Sequence, residues 1–192
     1  MFARLLPRFA IPLIASLIFA IFAPLSASAA TGGSYILLTL DGIKGESTLE
    51  VGKGAIDITS ITFGAVNPGS ASAGSGSGSG KPAFQEFSFT KLQDSASLSL
   101  LAILASGKTI KSGTISFYNA NTESKKPYLT IKLENIFVTS DTYATNEGNA
   151  RLTESFTLAA KKLTFTYQAI GSKGEPLPAQ TFEYDLAKNK VS

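Results

Sequence analysis

The sequence predicts a mainly β fold with one flanking α-helix. Three observations carry that prediction. Short apolar runs with period-2 alternation recur along the chain, punctuated by Gly, Asn, Asp and Pro. In several of these runs the apolar phase slips midway, as bent strands of a barrel or two-sheet sandwich require. Only one stretch of the mature chain, ahead of Gly107, reads as a long helix.

Taken in order, residues 1–29 form a targeting segment. Arg4 and Arg8 make a positive n-region, residues 9–23 an apolar core, and Pro24 ends it. Ala27 and Ala29 flank Ser28 as a small-x-small cleavage site, the pattern of a secretory signal peptide. The apolar run is shorter than the ~18 residues that mark a spanning helix. The expected mature domain is therefore residues 30–192, one domain in length.

Residues 34–40 (SYILLTL) read as the first strand, turned by Asp41-Gly42, with Gly45 allowing a second bend. Residues 55–66 read as the next strand. There Ile56 and Ile58 share one phase and Ile61, Phe63 and Ala65 the other, with the slip near Ser60 read as a bulge. Residues 68–80 are Gly- and Ser-rich, a long flexible loop between strands; such loops are often functional. Residues 84–91 form an aromatic strand leading into the helix.

Asp94 or Ser95 can cap that helix by accepting a bond from an orphan backbone N–H. Leu98, Leu101, Ala102 and Ala105 fall on one face at i, i+3, i+4 and i+7, and Leu100, Ile103 and Leu104 widen that face until little polar surface is left, which predicts a lid on a sheet. Gly107 ends the helix in the left-handed conformation. Residues 109–119, 129–138 and 156–167 follow as strands. Leu129, Ile131 and Leu133 change phase to Ile136 and Val138; Phe156 and Leu158 change phase to Leu163, Phe165 and Tyr167. Residues 181–186 complete the set.

Removing the leader leaves fifteen basic residues against fourteen acidic, a net charge of +1. That balance argues against a nucleic-acid binder, which would show a basic stripe. The absence of cysteine excludes a disulfide framework, and the absence of histidine removes the commonest metal ligand and general base. Ser88-x-x-Lys91 and Ser140-Asp141-Thr142 imitate elements of penicillin-recognising enzymes. However, Ser88 alternates with Phe87 and Phe89 inside a strand, and no K-T-G element exists. Ser106-Gly107-Lys108-Thr109 follows a helix instead of opening one, so it is not a phosphate loop. Asp41, Glu46, Asp57, Glu134 and Asp141 are scattered without a calcium-loop spacing. Lys125-Lys126 and Lys161-Lys162 read as a turn and a solvated bulge. No catalytic, cofactor or metal site is expected.

Residues 41–47 (DGIKGES), 66–70 (VNPGS), 84–91 (FQEFSFTK), 106–111 (SGKTIK), 128–140 (YLTIKLENIFVTS), 182–186 (FEYDL) and 188–190 (KNK) stand in order along nearly the whole mature chain. As an ordered set they resemble the Hcp family, the haemolysin-coregulated tube subunits of bacterial type VI secretion systems. The resemblance implies a compact β-barrel of two sheets with one flanking α-helix, related to phage tail tubes. It implies homohexameric rings stacked into a tube that serves as conduit and effector carrier, with spike protein, sheath and small effectors as partners. It implies no enzyme activity and no cofactor. The family's Gly-rich loop reaches the neighbouring ring, so Gly74, Ser75, Gly76, Ser77, Gly78, Ser79 and Gly80 would be the ring-stacking contact here.

The leader departs from the family pattern, because the familiar subunit assembles in the cytoplasm. It places this chain outside the cell or in the periplasm, with no stable membrane insertion once the leader is removed. Two readings stand. One is the type VI tube subunit and secreted carrier. The other is an exported relative forming periplasmic or extracellular rings or filaments without a contractile sheath.

Overall fold

The computed structural model describes residues 33–67, 81–119, 126–145, 148, 150–171 and 175–191. The strands are β1 (Ser34–Leu40), β2 (Ile56–Ile58), β3 (Ser60–Thr62), β4 (Ala65–Val66), β5 (Ala83–Phe84) and β6 (Phe87–Leu92). After helix α1 (Ser97–Ser106) come β7 (Thr109–Asn119), β8 (Leu129–Ala144), β9 (Thr153–Tyr167), β10 (Gln180–Asp185) and β11 (Lys190–Val191). A 3₁₀ turn, Glu50–Gly52, lies in the β1–β2 connection.

Every pairing is antiparallel. β1 pairs with β7 over its full length, β7 with β8, and β8 with β9. β9 then divides its partners. Its first half pairs with β6 (Phe87↔Leu158 to Leu92↔Thr153), and its second half with β10 (Asp185↔Lys162 to Gln180↔Tyr167). β6 pairs with β3, while β2, one residue upstream, pairs back onto β1. The strands thus run full circle, and the step between β2 and β3 is made by the chain at Thr59, whose N–H donates to Thr90 O. β4 and β5 form a separate two-stranded sheet.

The predicted phase slips have a common physical basis. Ile110, Ile136 and Leu158 point inward on one side of the bend; Gly113, Leu133 and Leu163 do so on the other. The flip falls at one level across β7, β8 and β9, since Gly113 pairs with Leu133 and Leu133 with Leu163. On β8 it is made by Asn135, which takes φ 53°, a left-handed conformation that Asn tolerates better than most residues. A bulge follows between Val138 and Ser140. Near Ser60 the expected bulge is instead a break in which the strand changes partners. Residues 55–66 are therefore three short strands, and residues 84–91 are two.

The bent strands wrap one core in which Leu38, Ile56, Phe89, Ile115, Ile131, Leu133, Phe156, Leu158 and Leu163 are buried. Phe89 and Phe156 stack at 4.9 Å. Each buried aliphatic side chain of this size contributes about 1.5–3 kcal/mol.

Helix α1 lies on this core through the residues that widen its apolar face, not through the i, i+3, i+4, i+7 stripe. Leu100 is buried and Ile103 and Leu104 pack against the core, while Leu98 is 71 % exposed and Leu101, Ala102 and Ala105 face outward. The run is apolar on all sides, so spacing alone does not fix its rotation. Ser97 fixes it, because its hydroxyl is fully buried and bonded to charged groups of the barrel. Asp94 is the capping residue: its Oδ1 accepts the Ala96 N–H at 3.0 Å, and Ser97 Oγ accepts the Asp94 N–H at 3.0 Å, a reciprocal cap. Gly107 closes the helix at φ 63° with its N–H on Leu104 O. Gly45 serves close approach, not a bend. Its N–H donates to Gly54 O, and a Cβ there would sit 2.3 Å from Ala55 O.

Candidate assembly surface

Where β9 exchanges β6 for β10, the wall of the barrel opens into an aromatic groove of about 370 Å³. Phe165 of β9 and Phe182 of β10 line one side; Phe63, Phe84 and Phe87 line the other. The rings touch one another, with Phe63 5.3 Å from Phe87 and 5.9 Å from Phe165, and Phe165 6.0 Å from Phe182. Phe63 and Phe182 are nevertheless 38 % and 41 % exposed. Aromatic surface of this kind, left facing water, marks interaction sites more often than chance. Alternation alone puts Phe63 and Ala65 on a core face; the break in the strand places them on the rim of this groove.

The groove carries the roots of the Gly/Ser loop. Ala65↔Phe84 and Val66↔Ala83 pair as a short ladder, and Gln85 N–H donates to Gly64 O at 2.8 Å. Both arms of that ladder border the groove. Gly74, Ser75, Gly76, Ser77, Gly78, Ser79 and Gly80 lie outside the described residues, as do Ala27 and Ala29 of the leader.

At α1 the barrel holds a buried charge cluster. Lys91, fully buried, places Nζ 2.7 Å from Glu154 Oε2, 2.6 Å from Asp94 Oδ1 and 2.8 Å from Ser97 Oγ. Ser97 Oγ in turn donates to Glu154 Oε2. Tyr143 OH donates to Asp141 Oδ2 at 2.9 Å and lies 3.3 Å from Ser97 O. Burial raises the Asp141 carboxyl above the ordinary aspartate range, and the nearby Glu154 charge adds to that. The cluster anchors the first turn of α1. A serine beside a lysine and a carboxylate imitates a nucleophile constellation, but Lys91, Ser97 and Glu154 have no exposure to a substrate.

Sequence reasoning missed this cluster, although the signal was present. Lys91 is in phase with Phe87 and Phe89, and Glu154 with Phe156 and Leu158, which puts both charges on the core face. The same phase places Ser88 on the exposed face, opposite Lys91, so Ser88-x-x-Lys91 is no motif. The other single carboxylates stay apart. Glu46 accepts the Ser95 N–H at 3.0 Å and lies 3.5 Å from Arg151, while Glu134 lies 3.9 Å from Lys132. Lys161 and Lys162 lie within β9 at the level of the phase flip, away from the bulge at Val138/Ser140; Lys162 pairs with Glu183 at 2.9 Å and Lys161 stands 5.4 Å over the Phe137 ring.

The family described as type VI secretion system effector, Hcp, matches residues 37–167, which span β1 through β9. Protein hcp1 of Pseudomonas aeruginosa is 31% identical over 133 residues, covering 69% of this chain and 82% of its own length. Hcp1 from Salmonella typhimurium superposes with a TM-score of 0.66 at 26% identity, covering 83% of this chain and 99% of its own. Another solved type VI secretion system protein superposes with a TM-score of 0.78 at 23% identity, over 83% and 100% of the two chains.

Proposed function

The chain belongs to the Hcp family of type VI secretion tube proteins, and from that membership we propose that its mature domain forms six-membered rings that stack into a tube. The tube acts as a secreted conduit and carrier, and the role is structural, not enzymatic. The family match carries this reading, because it spans the strands that build the barrel wall. The exposed rings of Phe63 and Phe182 support it as apolar surface suited to a second copy. The roots of residues 74–80 beside that groove support a stacking role for the loop.

We place the working protein outside the cytoplasm, with cleavage after Ala29. The leader's n-region, apolar core and small-residue site support this, and they favour a second reading in which export is independent of a sheath. Fractionation of strains with and without an intact sheath tests both readings, each strain carrying either the full chain or one lacking residues 2–29. Release that requires the sheath and ignores the leader supports an ordinary tube subunit. Release that requires the leader and ignores the sheath supports the exported assembly.

A further inference from the structure

Glu154 sits directly opposite Lys91 on β6 and Tyr143 on β8, and Asp141 lies diagonal to it on the same face. Among the described residues, Glu154 Oε1 and Asp141 Oδ1 are buried without a hydrogen-bond partner. The other oxygens are committed. Glu154 Oε2 takes Lys91 Nζ and Ser97 Oγ, and Asp141 Oδ2 takes Tyr143 OH. Two carboxylate oxygens left over on neighbouring positions of one face accept only, and neither can satisfy the other unless one carboxyl carries a proton.

The charge count points the same way. Lys91 is the only cation in the cluster, and it already serves Asp94 and Glu154 at 2.6 and 2.7 Å. An ionised Asp141 would add a carboxylate without a cation in contact beside Glu154, where unpaired charge is costly. We propose that Asp141 carries a proton at neutral pH and donates it to the Glu154 carboxylate, and that this carboxyl–carboxylate contact is a pH-sensitive clasp on the first turn of α1.

The clasp works through Tyr143 and Ser97. The single Tyr143 hydroxyl proton faces two acceptors, Asp141 Oδ2 and the Ser97 carbonyl of α1. With Asp141 neutral, that proton is shared with the helix. With Asp141 ionised, the charged oxygen holds it more strongly, and repulsion from Glu154 strains the residue that accepts the Ser97 hydroxyl. The groups facing Asp141 are thus Glu154 from β9, Lys91 from β6 and Tyr143 on its own strand. The raised Asp141 carboxyl agrees with this arrangement. Its sign is fixed by linkage: a proton held more tightly in the folded chain stabilises fully below the ordinary aspartate value of about 4. That stabilisation is lost as pH rises through the raised value.

Asp141→Asn is nearly isosteric and keeps a donor toward Glu154, so it should fold. Infrared spectroscopy of the wild type at neutral pH should show a protonated carboxyl band that D141N lacks. Thermal melts should coincide at pH 4, with D141N becoming more stable by several degrees as pH rises. Hydrogen exchange at the Ala96, Ser97 and Leu98 amides should then be faster in the wild type than in D141N at the same alkaline pH. Tyr143→Phe, which removes the bond favouring ionised Asp141, should move the transition to higher pH. Absence of the carboxyl band at neutral pH would overturn the pair. A band present with a melting difference independent of pH would overturn the clasp.

Discussion

Lys91 carries a charge into a fully enclosed position between β6, β9 and α1, where Glu154, Asp94, Ser97 Oγ and the Leu92 carbonyl converge on it. Replacing one member of such a cluster leaves the others buried and uncompensated, which costs about 3–5 kcal/mol. Lys91→Met should therefore lower the unfolding free energy by about that amount in urea, with Glu154 and Asp94 left facing each other. Adding Glu154→Leu to Lys91→Met should recover part of the loss, because an apolar replacement removes the orphaned charge. A loss below about 1 kcal/mol for the single change would show that the cluster does not secure the helix. Gly45 is the backbone counterpart. Gly45→Ala must displace the Ala55 carbonyl, which a Cβ would meet at 2.3 Å, so it should destabilise although residue 45 lies in a connection.

At the scale of elements, β1 and β7 were legible to the residue, because each is an unbroken β-rich run with clear turn residues at its ends. The phase slips in β8 and β9 were legible as slips. Their cause was not, since an Asn in the left-handed region and a change of strand partner leave the same alternation behind. The helix was legible in position, but its apolar face was too wide to give the rotation, in which Leu100, Ile103 and Leu104 and not the Leu98 stripe meet the core. With apolar residues on every side, the deciding contact is a buried serine bonded to residues 91 and 154, which no local window contains. The aromatic groove was illegible for the same reason: Phe63, Phe84, Phe165 and Phe182 are brought together by three separate connections. Two substitutions test the helix. Leu100→Ala should cost about 2–5 kcal/mol, while Leu98→Ala should stay within about 0.5 kcal/mol; equal costs would contradict the observed rotation. Replacing residues 74–80 with a two-residue turn should leave the melting temperature of the isolated subunit near that of the wild type. It should weaken ring stacking while sparing the ring. Collapse of subunit stability would contradict a peripheral loop.

At the scale of the molecule, the barrel leaves the aromatic rings of Phe63 and Phe182 exposed at the β9 partner exchange. Its buried charges are spent on holding α1, and its apolar groove stands beside the hairpin that carries the loop. This division, a sealed core with an open rim, suits a subunit whose work is done by contact with copies of itself. Phe182→Glu, at an exposed position on β10, should leave the fold intact and reduce assembly. The central claim is that the mature domain is a ring-forming tube subunit, and native mass spectrometry of residues 30–192 at micromolar concentration tests it most directly. The predicted result is a dominant species at six times the subunit mass, lost in Phe182→Glu. A clean monomer across the accessible concentration range would contradict it.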